Sequence, residues 1–194
     1  MVSDLYKIDN IFTKDQRERL IEDSKPLFLD GAEYAKHIAS IGLNKEYGFG
    51  YQEGFNWYRI THSTINLHPD FKWAHEIILS RIKKEIGEDC VCVKSWMNIS
   101  NGNRDNGNLT WHSHRRFDYA GVYYLKIPFP FFSNGTLFKD HGFIKAKENS
   151  MIVFPGHFMH TTPSSPLRFK RHTWAMDLNI KKDLVDGIDE GRTT

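Results

Sequence analysis

Beyond Cys90 the sequence settles into a period of two, and this constrains the fold more than anything before it. Val91, Val93 and Ser95 alternate with Cys92, Lys94 and Trp96, the spacing of a strand whose two faces meet different surroundings. Further strand candidates follow at 109–114, 120–127, 135–139, 142–146, 150–154, 157–161 and 171–180. Many short strands separated by turn residues predict a sandwich or barrel. The helical signals all lie upstream. Phe71, Ala74, Ile77, Ile78, Ile82 and Ile86 recur at three- and four-residue steps, and Gly87 ends the run, so 70–86 reads as an amphipathic helix. After a short strand over 6–12, Thr13 and Gln16 form a capping-box pattern for a first helix that stops near Pro26. Residues 29–66 carry Tyr47, Phe49, Tyr51, Phe55, Trp57 and Tyr58 with weak periodicity, and read as an irregular flap with short strands. Helices first and strands later suit a jelly roll with the helices packed on one outer face. At 194 residues the chain fits one domain: helical support and flap over 1–90, the β core over 91–181, and a tail over 182–194.

Charge excludes little. Lysine plus arginine, 26, nearly balances aspartate plus glutamate, 24, so no broad basic footprint for nucleic acid exists, although nucleic acid stays open as a substrate. Met1 to Gln16 lacks the apolar core of a signal peptide, and no run reaches membrane-spanning length. Cys90 and Cys92, two apart on one strand, are poorly placed for a disulfide. Reduced thiols in a cytoplasmic protein with no membrane partner are the expectation.

The chemistry sits in the histidines. His112 and His114 flank Ser113; on a strand, such a pair shares a face at about 6.6 Å along the chain, and both imidazoles can meet one metal at about 2 Å. A third ligand must come from a distant strand, and His160 is the best candidate. Any single histidine is more often a surface or core residue than a ligand, and an H-x-H pair alone also arises by chance.

Neighbouring segments raise the specificity. Ser95-Trp96-Met97-Asn98, Trp111-His112-Ser113-His114, Ala120-Gly121-Val122-Tyr123-Tyr124-Leu125, Gly135-Thr136-Leu137-Phe138, Ile152-Val153-Phe154-Pro155, His160 and Arg171-His172-Thr173 together resemble the 2-oxoglutarate- and iron-dependent oxygenases of the prolyl-hydroxylase-like superfamily. Within it they are most similar to a bacterial and phage group with H-x-H ahead of an S-G-V-Y-Y strand. The resemblance spans 95–179, about half the chain. It implies a double-stranded β-helix, a cupin-like jelly roll, with His112 and His160 as iron ligands. Arg171 would take the far carboxylate of 2-oxoglutarate through its planar fork, helped by Thr173 on the same face and by Tyr124, with Asn98 also at the cosubstrate. Parity turns His172 and His157 away. The implied reaction joins decarboxylation of 2-oxoglutarate by O2, giving succinate and CO2, to hydroxylation of a C–H bond, with ascorbate as a candidate reductant. A peptidyl side chain is the first substrate expectation, a small molecule the next. Arg104, Arg115, Arg116, Arg168 and Lys170 are candidates for a basic rim.

One departure matters. The superfamily usually offers H-x-D or H-x-E, a two-histidine, one-carboxylate triad, whereas position 114 is histidine. Asp118 lies six residues past His112, about 20 Å along a straight strand, so His114 is the preferred third ligand. Three imidazoles equally suit a cupin-type dioxygenase that does not use 2-oxoglutarate, a zinc- or nickel-selective protein, or a non-catalytic metal-binding module.

Overall fold

The computed structural model describes residues 4–28, 52–55, 58–61, 65–100, 111–127, 134–163 and 171–181. In chain order these give β1 (Tyr6–Asp9), α1 (Lys14–Ser24), β2 (Gln52–Phe55), β3 (Tyr58–Ile60), α2 (Lys72–Ile86), β4 (Cys90–Ser100), β5 (Tyr119–Lys126), β6 (Gly135–Phe138), β7 (Gly142–Lys145), β8 (Ser150–Pro155), β9 (His160–Thr161) and β10 (Arg171–Ile180). Both helices form where their sequence signals stand. The Thr13 hydroxyl accepts from Gln16 N, and the Gln16 side chain accepts from Thr13 N, closing the capping box of α1. Gly87 ends α2 at φ 84, where a side chain would strain the backbone.

The strands make two antiparallel sheets. The major sheet runs β1-β8-β5-β10-β4-β3-β2, and the minor sheet runs β7-β6-β9. Strand β10 is central, paired to β4 on one side and β5 on the other. Period-two alternation then gives the major sheet two buried faces. Tyr123, Leu125, Met151, Val153, Trp174 and Met176 join Leu20, Phe71, Ile78 and Ile82 in the core under the helices. Ala120, Tyr124, Ile152 and Phe154 point the other way and meet Phe138 of the minor sheet, with the Phe138 and Phe154 rings edge-on at 4.8 Å. The expected jelly roll, with helices on one outer face, is the observed architecture.

Two expectations need adjustment. The strand predicted over 109–114 does not continue to its end: in its described part only His112 pairs, in an isolated bridge to His160. His114 instead donates its backbone N–H to Gly156 O at 2.7 Å. The strand predicted over 157–161 begins at His160, because Phe158 N bonds back to Pro155 O across a turn at Gly156 and His157. The flap lies largely outside the described residues; of it, β2 and β3 pair, and β3 joins the edge of β4. Cys90 and Cys92 are buried free thiols, and burial pushes them up to about 11 and about 12.

Candidate metal centre

The short strand β9 and the segment around His112 build the metal-capable cluster. His112 N donates to His160 O at 3.1 Å, and His160 N returns a bond to His112 O at 2.9 Å. This two-way exchange puts the side chains side by side, with ring centroids 4.3 Å apart. His114 follows after one residue, its ring 5.3 Å from that of His112 and 5.2 Å from that of His160, nearly parallel to the latter. One nitrogen from each ring falls within 4.8 Å of the others, close enough for small side-chain rotations to bring all three to the roughly 2 Å that a single ion requires. Among the described residues no other group of this kind occurs.

The protonation chemistry fits a metal. His160 is buried at 5% exposure, and burial, with smaller effects from the two neighbouring histidines, holds its pKa down to about 3, against the opposing pull of the Phe158 carbonyl. Its imidazole is therefore neutral at ordinary pH, as a ligand must be. His160 Nδ1 faces Phe158 O at 3.0 Å and His114 Nδ1 faces Asp177 Oδ1 at 2.7 Å. His160 thus commits Nδ1 to an oxygen and leaves Nε2 for an ion, while His114 Nδ1 stands against its carboxylate without closing a hydrogen bond on Oδ1. Trp96 stacks on the His114 ring at 5.8 Å. Asp118 stands elsewhere: its Oδ2 accepts from Ile180 N at 2.9 Å and its own N–H donates to Asn179 Oδ1.

The cluster stands in a small cleft between the sheets, which His112, His114, His160, Asn98, Thr136, Arg171 and Thr173 all help to line. Arg171, at 6% exposure, is the only buried basic side chain among the described lysines and arginines. Its Nη1 donates to Gly135 O at 3.0 Å, and its guanidinium carbon lies 5.4 Å from the centre of the Tyr124 ring. Thr173 follows on the same face and takes a long bond from Asn98 Nδ2, 3.4 Å, across the β4–β10 register. Tyr124 is wholly buried behind the wall, its hydroxyl 2.8 Å from Thr136 Oγ1. Burial pushes that phenol up, while Arg171 and Thr136 pull it back. His172 turns to the helix side, edge-on to Phe28, and His157 is exposed. Arg115 and Arg116 are exposed, whereas 104, 168 and 170 lie outside the described residues.

Sequence reasoning passed over Trp96, Thr136 and Asp177. Trp96 is two residues before Asn98, and Asp177 shares the parity of Arg171 and Thr173, so alternation alone could have drawn both.

No protein-family model and no curated protein matches this sequence. Solved structures do. AviO1 of Streptomyces viridochromogenes superposes with a TM-score of 0.60 at 12% identity, over 90% of this chain and 89% of that one. The viral collagen prolyl hydroxylase of Paramecium bursaria Chlorella virus 1, in its 2-oxoglutarate complex, gives 0.56 at 12% identity over 92% and 96%. The non-haem α-ketoglutarate-dependent epimerase SnoN of nogalamycin biosynthesis gives 0.59 at 7% identity over 90% and 76%. The fold is that of the 2-oxoglutarate/iron oxygenases. At such low identity the likeness is one of fold, and it carries both hydroxylase and epimerase chemistry in its named members. No helix among the described residues is long and apolar enough to cross a membrane.

Proposed function

We propose that the chain is a ferrous-iron- and 2-oxoglutarate-dependent dioxygenase that hydroxylates a C–H bond. The observation that carries this reading is the meeting, in one cleft, of three convergent imidazoles with a buried arginine. His112, His114 and His160 would hold the iron. Arg171 would pair the far carboxylate of 2-oxoglutarate, since a buried guanidinium aimed into a cleft favours an anionic ligand. Thr173 and Asn98 border that position, and Tyr124 backs it through Thr136. Bound iron and 2-oxoglutarate would supply the coupled decarboxylation and oxygen activation. The apolar wall of Ala120, Val122, Phe154 and Ala175 would help keep bulk water from a carbon bound against it. A peptidyl side chain is the substrate class to try first, because the fold is shared with prolyl hydroxylases.

Anaerobic protein loaded with ferrous iron should develop a visible metal-to-keto charge-transfer band when 2-oxoglutarate is added, and should release succinate in air. His160→Ala should abolish both. Arg171→Ala should keep iron but weaken 2-oxoglutarate binding by about 10- to 100-fold, the worth of a charge-assisted pair. Iron binding without a band or succinate would instead favour a three-histidine dioxygenase that ignores 2-oxoglutarate, a reading that the missing carboxylate ligand keeps alive.

A further inference from the structure

Asp177 is the one carboxylate among the described residues that the fold buries, at 4% exposure. It sits on β10 six residues past Arg171, on the same face of the strand. Burying a carboxylate is costly unless a charged or hydrogen-bonding partner meets it. The group it meets is His114 Nδ1, 2.7 Å from Oδ1. The contact is close, yet the ring is not angled to close a hydrogen bond on that oxygen. The nearest lysine across the register, Lys94 opposite Asp177, is exposed and reaches over the Phe117 ring at 6.0 Å. Among the described residues, the carboxylate is thus directed at a histidine of the metal cluster and makes no other ion pair.

We propose that Asp177 is a positioning residue for the metal, a carboxylate that holds His114 by Nδ1, presents Nε2 to the ion, and returns to the site the negative charge that three imidazoles lack. The inference rests on the iron-binding reading above. It explains how a site can carry histidine at 114. The carboxylate is displaced by one imidazole, from the metal to the far side of its ligand, where it raises the basicity of that ligand and fixes its tautomer. Asp177 is outside the group whose ligand atoms converge, so it acts through His114. Trp96 lies offset and roughly parallel to the same ring, 5.8 Å between centroids, and so crowds one face of it.

The test uses the full chain and cobalt(II) and zinc(II) as probes. In the wild type, zinc-loaded protein should show His114 protonated at Nδ1 in long-range proton–nitrogen NMR spectra. Asp177→Asn and Asp177→Ala should weaken cobalt binding by about 10- to 100-fold, while the thermal midpoint of the metal-free protein stays level or rises, because a buried charge has been removed. In a His114→Ala background the Asp177 substitutions should have no further effect on affinity. Parallel losses of apo stability and affinity would overturn the proposal in favour of a merely structural acid. Unchanged affinity in Asp177→Ala would also overturn it, as would a changed coordination number in the cobalt spectrum, which marks a direct ligand. A wild type that binds neither metal sinks the iron reading itself, a result distinct from all of these.

Discussion

Three histidines are held neutral by burial above all, and this has a consequence for acid stability. Burial lowers His75 and His172 to about 4 and His160 to about 3, from 6.5. His75 sits against the Trp174 ring with its Nε2 3.1 Å from Ser95 Oγ, and His172 lies in the sheet-to-helix core with Lys126 opposing its charge. In the unfolded chain each imidazole takes a proton near pH 6.5; in the folded chain each refuses one until near pH 4 or below. The folded pKa values are depressed, so the stabilising contribution is complete above about pH 7 and disappears as the pH falls toward 4. With three sites, the slope near pH 5 approaches about 4 kcal/mol per pH unit. Urea unfolding of metal-free protein at pH 7 and pH 5.5 should show the midpoint dropping sharply, and His172→Gln should remove about a third of that drop. A flat profile would mean that these rings are protonated inside the fold.

Among the elements, the segment carrying His112 and His114 is irregular, with one isolated bridge, and is latched by backbone hydrogen bonds. His114 N donates to Gly156 O, and Gly156 N donates to Asp118 O at 3.0 Å. A Cβ at Gly156 would stand 2.2 Å from Phe117 O and 2.6 Å from His114 O. Both are backbone atoms with little room to yield. Gly156→Ala should therefore cost about 2–3 kcal/mol, the upper range for overpacking, and weaken metal binding at least tenfold by moving His114. Gly121→Ala is the contrast. Its Cβ would meet Met151 Cε at 2.3 Å on the helix side, the far end of a flexible chain, so it should lower the thermal midpoint and leave metal affinity alone. Titrating cobalt into both variants separates the effects. The same segment marks how far sequence reads. The helix of 72–86 and the strand of 171–180 were legible because repeating side-chain patterns encode a continuous face. The path of 111–114 was not, because one bridge to His160 and one bond to Gly156 decide it, and both partners lie more than 40 residues away. The family resemblance pointed to Arg171 and parity added Thr173; the same parity would have drawn Asp177 had the strand been followed to its end. No local pattern announces that a carboxylate there would meet a histidine from another segment.

At the scale of the molecule, the major sheet separates two jobs: its helix face holds the fold together and its cleft face holds the site. The hinge of the first job is the turn at 147–149. Asn149, at φ 61, accepts from Phe12 N at 3.0 Å and from Tyr123 Oη at 3.0 Å through Oδ1, and donates through Nδ2 to Phe12 O at 2.8 Å. Its neighbours add the Arg17–Glu148 ion pair and the Lys147–Asp9 ion pair. One asparagine thus ties the N-terminal strand and α1 to β5 and β8. Alanine there would leave the Phe12 amide and the Tyr123 hydroxyl without that acceptor, and would carry the left-handed backbone less well than asparagine does. Asn149→Ala should lower unfolding free energy by about 3 kcal/mol. The cleft lies across the sheet, lined by side chains of opposite parity, and its histidines are anchored by β9 and Gly156 rather than by this turn. Metal affinity at a temperature where the variant is folded should therefore stay within about twofold of the wild type, since sites without shared partners add independently. Chemical denaturation and cobalt titration of the same preparation check both halves. A large loss of affinity in the folded variant would show that the two faces of the sheet are coupled, and that the helices help set the geometry of the three imidazoles.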